Sequence, residues 1–79
     1  MIRLKELLDE LRQVNISVVG TWESGDGHKG VMLGDLGKAF PFATGPQYPV
    51  DCTGDKNPIL PTQQANAIRR RFGLDVKEE

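Results

Sequence analysis

The stretch Trp22-Glu23-Ser24-Gly25-Asp26-Gly27-His28-Lys29-Gly30 gathers the only tryptophan and the only histidine of a 79-residue chain. An imidazole in a glycine-rich loop is exposed and can give or take a proton near neutral pH. Gly27 and Gly30 would let a ligand come close to the backbone, and loop amides with Lys29 beside them can cradle an anion. These are the ingredients of an acid/base site for a phosphate ester. They are equally the ingredients of a plain hairpin turn, in which three glycines and an aspartate reverse the chain and His28 is ordinary surface.

A second group is Arg69-Arg70-Arg71. Consecutive helical residues fan around the axis, so at least two of the three guanidinium groups face solvent, where each could bind a phosphate through two parallel hydrogen bonds. The alternative is a solvated helix face whose charge complements the negative end of the helix dipole.

Other chemistries lack their parts. Ser24, Asp26 and His28 sit too close together in one turn to line up as nucleophile, orienting group and base. Cys52 stands between Asp51 and Thr53 with no neighbouring cation to make it a thiolate. One cysteine and one histidine form neither an internal disulfide nor a four-ligand zinc site. The glycines match neither a dinucleotide fingerprint nor a P-loop, and the aspartates lack EF-hand spacing. No metal and no cofactor are expected.

With a net charge of −1 and a pI near 5.8, the chain has no overall basic field to attract nucleic acid, so such a role must rest on a local patch. Acidic residues stand early in the chain, and nowhere do about 18 apolar residues follow one another. No membrane span or export signal is expected, and the lone cysteine fits a reducing, cytoplasmic location.

The elements that must position these groups are legible from periodicity. Leu4, Leu7, Leu8 and Leu11 recur at i, i+3, i+4 and i+7, which predicts an amphipathic helix from Ile2 to Gln13, ended by Asn15. Ile16 to Trp22 is mostly β-branched or aromatic and predicts a strand with Ile16, Val18 and Trp22 on one face. Val31 to Leu33 predicts its antiparallel partner, with the glycine-histidine loop at the tip. Gly34 to Gly37 reads as a second turn. Lys38 to Phe42 alternates and reads as an edge strand because of Pro41. Val50 to Cys52 is a further short strand. A second helix starts with Thr62 as N-cap, carries Ala65, Ile68 and Phe72 inward, and ends at Gly73 with Leu74 folded back.

That order resembles the HicA-type toxins, ribonucleases with a fold like the double-stranded-RNA-binding domain (dsRBD). "RLKELLDELRQVNISVV" is similar to the family's opening helix and first strand, and "ILPTQQANAIRRRFGL" to its closing segment. Gly27-His28 resembles the family's Gly-Ser-His turn. The resemblance implies that His28 is catalytic in cutting RNA without a metal, and that Gly27, Lys29, Gly30, Arg69, Arg70 and Arg71 hold RNA phosphates. It also implies a HicB-type antitoxin as partner.

The expectation is therefore one α+β domain over residues 1–79, dsRBD-like α-β-β-β-α, with two helices on one face of a small antiparallel sheet. Residues 2–74 would be ordered and the tail 75–79 frayed. Leu4, Leu7, Leu8, Leu11, Ile16, Val18, Met32, Ile68 and Phe72 would form the core. The expected function is RNA cleavage by a HicA-like toxin. The rival is a non-catalytic interaction module or inhibitor, which would show an apolar patch around Phe40, Phe42 and Tyr48. Pairing of the Val50–Cys52 edge with a second copy leaves a homodimer open.

Overall fold

The computed structural model describes residues 1–35, 47–52 and 54–77. The strand expected at Lys38 to Phe42, and with it most of the apolar patch of the rival reading, lies outside these residues.

The described chain runs β1 (Ile2–Arg3), α1 (Leu4–Leu11), a 3₁₀ turn (Arg12–Val14), β2 (Ile16–Glu23), β3 (Lys29–Asp35), β4 (Gln47–Asp51), β5 (Ile59–Leu60) and α2 (Thr62–Arg71). β2, β3 and β4 form an antiparallel sheet in that order. The helix, three strands, helix arrangement of an α+β domain is therefore present. Two residues just ahead of each helix add a small second sheet, pairing Ile2 with Leu60 and Arg3 with Ile59. A two-residue strand has no periodicity to read, so it is not visible in the sequence.

The core forms where both helices meet the sheet. Leu4, Leu7 and Leu11 of α1 and Ala65 and Ile68 of α2 are buried together with Ile16, Leu33, Val50 and Leu60. Leu8 and Phe72 pack against this cluster from its margin. Two expected members are displaced: Val18 is 37% exposed, and Met32 gives way to Leu33. Leu33 faces the core across from Val18, while Met32, its neighbour along β3, points to the opposite face. Val18 pairs with Leu33 but Gly20 pairs with Met32, so Val19 is an extra residue, a β-bulge. Directly opposed residues share a face, and the bulge therefore puts Trp22, opposite Gly30, on the other face from Ile16 and Val18.

The helix ends are built differently from one another. Asn15 takes the left-handed conformation, φ 62°, that closes the first helical segment. Gly73, φ 82°, ends α2 in a Schellman turn: Leu74 N–H donates to the Arg69 carbonyl at 2.8 Å and Gly73 N–H to that of Arg70 at 3.3 Å. At its start, α1 has no cap of its own. Its exposed amides are satisfied from far along the chain, Leu4 N–H by the Pro58 carbonyl and Lys5 N–H by the Asn57 side chain, both at 2.9 Å. Thr62 is not the N-cap of α2. Pro61 holds that position, and the Thr62 hydroxyl accepts instead from the Met1 amine at 3.3 Å.

Beyond α2 the chain is held at Lys77 by side-chain contacts to both helices. Asn66 exchanges two hydrogen bonds with the Lys77 backbone, at 2.7 and 2.9 Å. The Lys77 ammonium reaches Glu10 at 3.3 Å. Among the described residues, no helix is long and apolar enough to cross a membrane.

Candidate functional site

The loop between β2 and β3 is short because both strands run to its edges, Glu23 facing Lys29. Ser24 N–H donates to the His28 carbonyl at 2.7 Å, and Gly27, at φ 94°, donates to the Ser24 carbonyl at 3.2 Å. A side chain is strongly disfavoured at that φ, so Gly27 serves the turn. Its N–H is already engaged within the loop, contrary to the expectation that it receives a phosphate.

This turn delivers His28 to the end of β4. Its Nδ1 lies 3.0 Å from Oδ2 of Asp51. When the imidazole is neutral, a proton shared with that carboxylate belongs on Nδ1, and the Nε2 lone pair then points away from it. The second carboxylate, Asp26, stands 3.8 Å from Nε2. The Ser24 hydroxyl donates to the other Asp26 oxygen, and this bond holds the Asp26 carboxyl below the ordinary aspartate range. His28, Asp26 and Asp51 all keep about half or more of their side-chain surface in solvent. The arrangement is an oriented, accessible imidazole between two anions.

Asp51 is the member that the sequence reading missed. It lies 23 residues from His28, and only the pairing of Gly30 with Asp51 across β3 and β4 brings the two together. The alternation of β4 is the one signal that could have placed an acidic residue beside the loop.

Gly30 has a packing role. A β-carbon there would collide with the Val50 carbonyl, so the residue lets β3 and β4 close rather than admitting a ligand. Lys29 is exposed and lines a cleft of about 640 Å³ with Trp22, Val31, Cys52, Asp55 and Lys56. The Trp22 indole N–H donates to the Val31 carbonyl at 3.2 Å. The Cys52 thiol is pushed above its usual value by burial, and by Asp51 and Asp55 nearby, so it is a neutral thiol in this wall.

The arginine run divides. Arg69 is only 4% exposed and is committed to the fold: Nε and one terminal nitrogen meet the two Glu10 oxygens at 3.0 Å, and the other donates to Asn66 at 2.8 Å. It corrects the expectation of a phosphate contact at this position, because every arm of its guanidinium already has a partner. Arg70 and Arg71 are exposed. Neither lines the cleft beside the hairpin.

Among the described residues, no group of three or more histidine, cysteine, aspartate or glutamate side chains is placed to hold a metal ion. Comparison with known protein families, curated proteins and solved structures finds no match to this chain.

Proposed function

We propose that the chain is a HicA-like ribonuclease in which His28 is the acid/base group and Asp51 its orienting partner. The observation that carries this reading is the 3.0 Å contact between His28 Nδ1 and Asp51, which fixes the tautomer that acid/base catalysis at Nε2 requires. Nε2 takes the proton from a ribose 2′-hydroxyl as its oxygen attacks the adjacent phosphorus. The bond from phosphorus to the 5′ oxygen breaks, and the proton passes from the imidazolium to that departing oxygen. The products are a 2′,3′-cyclic phosphate and a 5′-hydroxyl. Lys29 supplies positive charge for the phosphoryl oxygens. A HicB-type antitoxin covering the face that carries His28 is the partner this reading implies.

The second reading, a non-catalytic module that binds a protein, draws on one observation: both imidazole nitrogens face carboxylates, Asp51 at 3.0 Å and Asp26 at 3.8 Å. Anions so placed oppose the approach of a phosphate.

Purified protein incubated with single-stranded RNA and a chelator distinguishes the two. Cleavage leaving cyclic-phosphate ends, reduced roughly 100-fold or more in a folded His28→Ala variant, supports the ribonuclease. Cleavage equal in both proteins, or absent from both, removes it.

A further inference from the structure

We propose that the outer edge of β2, at Thr21 and Glu23, takes up an extended segment of a partner protein as an added antiparallel strand, one apolar side chain of which enters the cleft beside the hairpin. The inference goes beyond the ribonuclease reading and holds whether or not His28 cuts RNA.

β2 is an edge of its sheet, and among the described residues no strand pairs with its outer side. Ser24 N–H donates inward, to the His28 carbonyl. Bonded and non-bonded positions alternate along an antiparallel pair. Glu23, opposite Lys29, and Thr21, opposite Val31, therefore turn their own N–H and C=O groups outward. β3 obeys the same alternation, since the Lys29 carbonyl is directed to β4, where it accepts from Cys52 N–H at 2.9 Å. The row of donors and acceptors left at Thr21 and Glu23 is the template that strand addition uses.

Strand addition draws its specificity from pockets that receive alternate side chains. Thr21 and Glu23, whose backbone groups face outward, also line the cleft of about 640 Å³ together with Val31 and Cys52. Val31 and Cys52 are half-buried, pack against the core and give the cleft an apolar floor. Its charges cancel, Glu23 and Asp55 standing against Lys29 and Lys56. Such a lining favours neither a polyanion nor a polycation. It suits a neutral backbone that lays an apolar side chain on the floor. Directly opposed residues of an antiparallel pair interact, so the added strand carries a long apolar residue opposite Thr21 and a basic one opposite the exposed Glu23.

A second copy of this chain fits the same edge poorly. The Val19 bulge interrupts the ladder within β2, and bulges blunt an edge against pairing with its like. β2 also contains no basic residue, so two β2 strands laid side by side leave Glu23 without a cation opposite it.

A blocked heptapeptide, Thr-Thr-Lys-Thr-Phe-Thr-Thr, tests the edge, read by amide hydrogen exchange in NMR spectra and by the rate of alkylation of Cys52, the chain's single cysteine. In the free protein the Thr21 and Glu23 amides exchange rapidly. Saturating peptide slows both severalfold and slows alkylation of Cys52. Glutamate in place of the peptide's lysine weakens binding about 5-fold, a difference that Glu23→Gln protein no longer shows. Methylation of the peptide's lysine and phenylalanine amide nitrogens abolishes binding. Thr21 and Glu23 amides already protected in dilute free protein overturn the inference, because the edge is then covered. Protection that grows with protein concentration in the absence of peptide assigns the edge to a second copy and overturns it as well. So does a peptide that fails to bind, or one whose binding survives methylation.

Discussion

The His28 imidazole and the Asp51 carboxylate stand 3.0 Å apart, one just before β3 and the other at the end of β4. The pair joins the most reactive side chain of the hairpin loop to the strand that leads into the cleft. If the chain cleaves RNA as proposed, two opposed effects follow from it, because the anion that orients the imidazole also repels the phosphate.

Asp51→Asn separates those effects. Loss of the carboxylate weakens control of the tautomer and support of the imidazolium, and kcat falls roughly 10–100-fold at this half-exposed position. KM does not rise, since an anion beside the phosphate has gone. Asp26→Asn lowers KM by the same argument and leaves kcat closer to wild type. Steady-state cleavage of a fluorogenic RNA measures both parameters.

Gly30→Ala forces a β-carbon against the Val50 carbonyl, a backbone atom that yields only if β3 and β4 part. The expected loss is about 3 kcal/mol. Gly25 in the adjacent loop has open space where its β-carbon would be, and Gly25→Ala stays within about 0.5 kcal/mol. Urea unfolding of the two variants side by side checks the contrast.

Glu10→Ala strands the buried Arg69 charge and costs about 3 kcal/mol, a fall in Tm of roughly 12 °C or more for a domain of this size. Replacing both partners, Glu10→Leu with Arg69→Met, recovers most of that loss. The Arg69 hydrogen bonds hold the Glu10 carboxyl below its ordinary value of 4.5, with burial opposing them and Lys77 assisting. A folded pKa below the unfolded one stabilises the fold fully above the unfolded value and stops doing so as pH falls through the folded one. The stability gap between wild type and Glu10→Gln is therefore constant above about pH 5 and closes in more acidic solution. Thermal melts across that range read it directly.

Asn57→Ala removes the side-chain oxygen that receives Lys5 N–H and destabilises the domain by about 1 kcal/mol, the usual worth of a helix cap. Hydrogen exchange should accelerate in the first turn of α1 while α2 keeps its protection.

Much of the architecture was legible because it is periodic. The leucine spacing of α1 gave its buried face, and the left-handed Asn15 and Gly73 were foreseeable from residue type. What escaped is non-periodic. The Val19 bulge shifted the face of Trp22, since a single extra residue reverses a period of two. Arg69 read as surface, but burial turned it into the partner of Glu10, 59 positions away. His28 was found from its own loop, whereas Asp51 became visible only through strand pairing. A short sequence shows which residues have chemistry, and register decides which of them meet.

The distant cap on α1 also sets an order of events in time. As the chain leaves the ribosome, Leu4 to Leu11 emerges ahead of its partners: Lys5 waits for Asn57 and Glu10 waits for Arg69. An eight-residue helix is marginal in water on its own. The nascent segment ahead of α2 therefore has little to hold it folded until α2 arrives, and the hairpin with His28 acquires a firm support only then.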